Sequence, residues 1–177
     1  MRSDPAALAK LFPIAARSTG GEQGEAVRSQ LVLARPTAGA ELATTLDELY
    51  RDGDTTERLA VLRTLPLLDQ TGRIGPDALP LTADALRTND VRLVTAAMGP
   101  YAARYLDQSA WRQGVLKCVF MGIPLDTVAG LARRTDPELL RMFRAFAAER
   151  AAAGRPVPHD LRTLLDLHPT GERHAHL

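Results

Sequence analysis

The chain has 177 residues and a mass of 19.2 kDa, the size of one domain and enough to bury a core without staples. Its 22 Lys+Arg offset 21 Asp+Glu to leave a net charge of +1, so overall charge draws it neither to nucleic acid nor to an acidic membrane. Ala (28) and Leu (27) far outnumber Val and Ile (12 together), and eight residues are aromatic. Strands favour the scarce types, so the composition predicts an all-α fold.

Helical periodicity is readable along most of the chain. A first helix is predicted from Asp4-Pro5 to about Ala16, with Pro at the first helical position. The cluster Gly20-Gly21-Glu22-Gln23-Gly24 reads as a helix break, and a second helix runs from about Glu22 to Ala34. A third covers Thr37 to Arg51. A fourth runs from Thr55 to about Leu68, with Pro66 distorting its last turn. Further helices are predicted from Pro76 to Thr88, Asp90 to Met98, Tyr101 to Leu106 and Gln108 to Met121. Pro124 to Arg134, Asp136 to Ala153 and His159 to Leu167 complete the series, with Asp136-Pro137-Glu138 a clear start signal. Residues 1–167 read as one helical domain and 168–177 as a loose tail. Short helices with tight breaks suggest an irregular stack of hairpins, α-solenoid-like, or a compact bundle.

Several function classes drop out. One cysteine, Cys118, permits no internal disulfide and no thiolate cluster. The longest apolar run, 118–125, falls short of the roughly 20 residues that span a bilayer, and no secretory h-region is visible. The expectation is a cytoplasmic protein without a transmembrane segment. Phosphate-loop, dinucleotide, zinc-protease and nucleophile-elbow motifs are missing, so no metal and no cofactor is expected. His174 and His176 flank an alanine in the tail and read as unstructured.

Candidate site residues are polar groups that interrupt apolar patterns. Arg63 falls between Leu59 and Leu67 on one arc at 100° per residue. A cation there needs a carboxylate, a carbonyl or a ligand. The helix holding Trp111, Val115, Cys118, Val119 and Phe120 is apolar nearly all round, which predicts a central helix. Gln113 and Lys117 form its one narrow polar face. Lys117 is one of two lysines beside 20 arginines, and a desolvated lysine serves as a base or Schiff-base amine. Arg150 continues the stripe Leu139, Phe143, Phe146. Asn89 and Asp90 read as C-cap and N-cap of adjoining helices. Tyr101 and Tyr105, one turn apart, pack in the core or line a pocket. Lys117 and Arg63 are expected in one polar cluster inside the stack.

The segments Ala60-Val-Leu-Arg-Thr-Leu-Pro-Leu-Leu68, Ala85-Leu-Arg-Thr-Asn89 and Trp111-Arg-Gln-Gly-Val-Leu-Lys-Cys-Val-Phe-Met-Gly-Ile-Pro-Leu125 resemble the EboA-domain family. So do Gly130-Leu-Ala-Arg-Arg-Thr-Asp-Pro-Glu-Leu139 and Glu149-Arg-Ala-Ala-Ala-Gly-Arg155, so that the likeness spans about residues 55–165. The resemblance implies a helical protein of bacterial small-molecule metabolism, encoded beside membrane prenyltransferase-like and metal-dependent hydrolase-like proteins. It suggests a part in processing or exporting a lipophilic precursor, and a protein partner from the same gene cluster. The chain departs from the family pattern at three amides. Gly99 stands for Asn before Pro100-Tyr101, Arg112 for Asn between Trp111 and Gln113, and Asp136 for another Asn.

Two readings follow. In the first, a small metabolite sits between helices, bound by Arg63, Arg87, Asn89, Tyr101, Trp111, Gln113 and Arg150. Lys117, Asp126 and Glu149 then catalyse a cofactor-independent isomerisation, cyclisation or rearrangement. In the second, a non-catalytic adaptor binds a partner protein or delivers a lipophilic metabolite. An enzyme should show a deep pocket where cations meet an acid; an adaptor should show a broad groove.

Overall fold

A computed structural model describes residues 5–14 and 21–169. The chain is all-α: it is 76% helical, and there is no strand among the described residues. Asp4, Gly20 and the tail from 170 onward, including His174 and His176, lie outside them.

The helices are α1 (Pro5–Ile14), α2 (Gly21–Leu33), α3 (Gly39–Asp52), α4 (Thr55–Gln70), α5 (Leu79–Ala85), α6 (Val91–Ala97), α7 (Pro100–Tyr105), α8 (Gln108–Met121), α9 (Leu131–Arg134), α10 (Pro137–Ala152) and α11 (His159–Leu167). Gly21 and Gly24 sit inside α2 rather than breaking the chain there. Helix α4 runs through Pro66 to Gln70, two residues beyond the expected end. The helix expected over 76–88 is a 3-10 turn, Gly75–Ala78, followed by α5. The one expected over 124–134 divides as well, into a 3-10 turn, Leu125–Thr127, and α9. Gly130 makes that second break: its φ of 80° is left-handed, and a Cβ there would stand 3.0 Å from Ala103 Cβ.

Helix α4 is the hub of the first half, because α2, α3, α6 and α7 all pack on it. Its start is fixed by a capping box: Asp54 accepts from Glu57 N at 2.9 Å, and Glu57 accepts from Asp54 N at 2.8 Å. Leu59, Ala60, Val61, Leu62, Leu65 and Leu68 are buried with Leu42, Leu46 and Tyr50 of α3. A second core joins Trp111, Val115 and Cys118 of α8 to Leu139 and Phe143 of α10 and Leu161 of α11. Helix α6 serves both cores: Leu93 and Ala97 face the first, Val94 and Met98 the second. That split is what an α-helix with apolar residues on two sides must do.

Two arginines clamp loops by donating to backbone carbonyls. Arg73 reaches Leu33 O at 2.8 Å and Thr37 O at 2.8 Å, and it also holds Arg35 O. Arg134 reaches Ala103 O at 3.1 Å and Leu106 O at 2.8 Å, and it covers the Trp111 ring at 4.8 Å. Both thus satisfy carbonyls that helix ends leave unpaired.

Candidate functional site

Helix α8 divides its faces by simple periodicity. Trp111, Val115, Cys118 and Val119 turn inward and are buried. Gln113, Leu116, Lys117 and Phe120 are spaced i, i+3, i+4, i+7 and so share the opposite face. The helix is therefore not buried all round as expected: Phe120 is 75% exposed. Burial pushes the Cys118 thiol up to about 11, which keeps it an inert core group.

The outward face of α8 forms one wall of an open groove. Leu86, Arg87 and Ala83 come from α5 and the turn after it, and Leu106 and Ala110 close one section of about 410 Å³. A neighbouring section of about 270 Å³ is lined by Asn89, Leu116, Phe120 and Met121. Gln113 and Lys117 line both sections. The floor is tight, since a Cβ on Gly114 would collide with Met98 Sδ and lie 3.1 Å from its Cε. Four of the sequence candidates, Arg87, Asn89, Gln113 and Lys117, therefore meet in one place. Lys117 has no ion-pair partner among the described residues, whereas Arg87 is 4.0 Å from Asp84. Asp90 caps α6 as expected, accepting from Arg92 N. Asn89 is not the expected C-cap: α5 ends at Ala85 with Leu86 as its cap, and Asn89 instead lines the groove.

The other candidates lie elsewhere. Arg63 is half-exposed and grips Glu25 of α2 at 2.6 Å. It does not join Lys117 in an interior cluster, because the arc between Leu59 and Leu67 emerges at the surface, where Leu67 is 42% exposed. Among the described residues the buried arginines are Arg28 and Arg35, and Arg28 is the one paired with an acid. Its Nε donates to Phe12 O at 3.0 Å, and its Nη2 lies 3.4 Å from Glu57. Gly24, Arg28 and Val32 are buried at four-residue spacing, a signal the sequence carried. Tyr101 is an anchor: its hydroxyl donates to Gly75 O at 2.6 Å and accepts from Ala78 N at 3.1 Å. Trp111 is wholly buried beneath Arg134. Arg150 donates to Pro156 O at 2.7 Å and stacks on Phe146. Asp126 and Glu149 are exposed, and neither lines the groove.

Two departures from the family pattern prove to be one feature. Arg112 and Asp136, both standing for amides, form an ion pair at 2.7 Å. Asp136 also caps α10 and accepts from Gln108 Nε2 at 2.8 Å. The Arg112 guanidinium holds the Asp136 carboxyl down at about 2, below its usual 3.8. This contribution is present above the usual value and is lost as pH falls through about 2. In a double-mutant cycle, Arg112→Asn and Asp136→Asn should show a coupling of about 1 kcal/mol. Urea unfolding should find that coupling at neutral pH and find it falling away as the pH drops toward and below 2.

The molecule is thus an all-α stack with an amphiphilic groove on its second core and, among the described residues, no group of His, Cys, Asp and Glu suited to a metal. The chain belongs to the EboA family: the family model for metabolite traffic protein EboA matches residues 21–166. A metabolite-related role follows from that membership. The match takes in α2 through nearly all of α11, wider than the segments that carried the resemblance in the sequence. No curated protein and no solved structure matches the chain. No helix among the described residues is long and apolar enough to cross a membrane.

Proposed function

We propose that this chain binds and delivers a small amphiphilic metabolite, held in the groove along α8, without chemically changing it. The single observation behind this reading is the mixed face Gln113, Leu116, Lys117, Phe120, set opposite Arg87 and Asn89. Leu86, Leu116 and Phe120 offer apolar contact to a lipophilic body. Lys117, Gln113 and Asn89 offer donors to its oxygens. Catalysis is the weaker reading, because Asp126 and Glu149 stand outside the groove and, among the described residues, no carboxylate faces Lys117 closely enough to pair with it. The open shape suits a ligand that must enter and leave, and suits transfer to a protein partner encoded nearby. A role in bacterial secondary metabolism accords with this picture.

Anilinonaphthalene sulfonate, an apolar anion, is a suitable probe. It should bind saturably at one site and quench Trp111, the sole tryptophan. Lys117→Met should weaken binding about tenfold, the loss of one charge-assisted contact. Its urea midpoint should not move, since no partner is stranded. Equal binding by wild type and Lys117→Met would refute the reading, as would a large loss of stability in the variant.

A further inference from the structure

A second cavity, of about 460 Å³, opens between α3, α4 and α5. Its charged lining consists of Asp47 and Arg51 from α3, Arg58 from α4, and Asp84 and Arg87. Three arginines against two aspartates leave a net positive charge. The aspartates are partly engaged: Asp47 pairs with Arg51 at 2.8 Å, and Asp84 lies 4.0 Å from Arg87. Arg58 has no such acid among the described residues. Its Nε donates to Gly53 O at 3.0 Å and its Nη2 to Arg51 O at 3.2 Å, while its guanidinium lies 5.3 Å from the Tyr50 ring centroid. These contacts fix the plane of the guanidinium and leave Nη1 without a hydrogen bond among the described residues. Tyr50, 2% exposed, also lines this cavity, and its buried hydroxyl makes no close hydrogen bond among the described residues. Burial, reinforced by the nearby Asp84 carboxylate, pushes it up to about 12, so it stays protonated against that carboxylate. A fixed guanidinium and two further arginines suit an anion with several oxygens.

Arg87 lines this cavity and the α8 groove alike, so the two adjoin at that residue. We propose that the cavity is the oxyanion subsite for a phosphate-class head on the same amphiphile whose apolar body lies along α8. This rests on the groove reading, and the test separates the two.

Titration calorimetry would use decanol, decyl phosphate below its micellar concentration, and inorganic phosphate. Decyl phosphate should bind at least about tenfold tighter than decanol. Arg58→Lys and Arg51→Gln should each reduce that advantage and leave decanol binding unchanged, since neither residue lines the groove. Inorganic phosphate should compete with decyl phosphate but not with decanol. Arg51 is exposed, so its variant keeps the test open if Arg58→Lys unfolds. If decanol binds and the phosphate adds nothing, or both variants keep the full advantage, the subsite is refuted and the groove reading stands. If decanol does not bind, the groove reading fails. Inorganic phosphate binding alone would then mark a free-anion site and overturn the shared-ligand claim.

Discussion

Trp111→Ala should lower the unfolding free energy by about 3–5 kcal/mol, the usual cost of removing a large core aromatic. Trp111 is 0% exposed and packs in the core that joins α8 to α10 and α11. Its loss also uncovers Arg134, whose guanidinium lies over the ring while it holds the carbonyls of Ala102, Ala103 and Leu106. Trp111→Phe should cost much less, because the buried Trp111 Nε1 has no hydrogen-bond partner to lose among the described residues. Urea unfolding followed by circular dichroism checks both, and a Phe variant as unstable as the Ala variant would contradict the packing account.

Arg28→Leu should be nearly as damaging, at about 3–5 kcal/mol, because one partner of a buried ion pair is removed. Glu57, 7% exposed, would keep its bond from Asp54 N but lose the guanidinium beside it. Phe12 O would lose its donor. Adding Glu57→Gln should return part of the loss, since the stranded charge goes while the cap acceptor stays. Arg63→Met is the contrast. Its pair with Glu25 is half in solvent, so about 0–1 kcal/mol is expected. Equal losses at Arg28 and Arg63 would show that burial does not decide which pair matters.

The comparison of these two arginines shows where the sequence was legible and where it was not. The helices were readable because Leu and Ala recur at helical spacing and because Asp54, Asp90, Asp107 and Asp136 each cap a helix start. The breaks near 75–78 and 128–130 were harder to read. A 3-10 turn shares the residue types of a helix, and the left-handed Gly130 answers to Ala103, which is distant in sequence. The side of a helix that faces the core was ambiguous wherever apolar residues lie on two sides. On α4 that ambiguity placed Arg63 inside, and on α8 it hid the exposure of Phe120. The polar face of Gln113 and Lys117 was legible by itself. Its union with Arg87 and Asn89 depends on α5 ending at Ala85, a tertiary outcome that local patterns do not encode. The cavity beside Tyr50 escaped notice because its residues come from three successive helices whose packing angle no local pattern encodes.

Amide mapping by nuclear magnetic resonance is the most direct test of the groove as the ligand site. Decanol added to isotope-labelled wild-type protein should shift the amides of Gln113, Leu116, Lys117 and Phe120, together with those of Leu86 and Arg87, and the shifts should saturate. The amides of Glu25, Asp126 and Glu149 should stay still. Shifts centred instead on the separate cleft of Pro158, His159 and Asp160, or around Asp126 and Glu149, would contradict the account, as would the lack of any saturable shift.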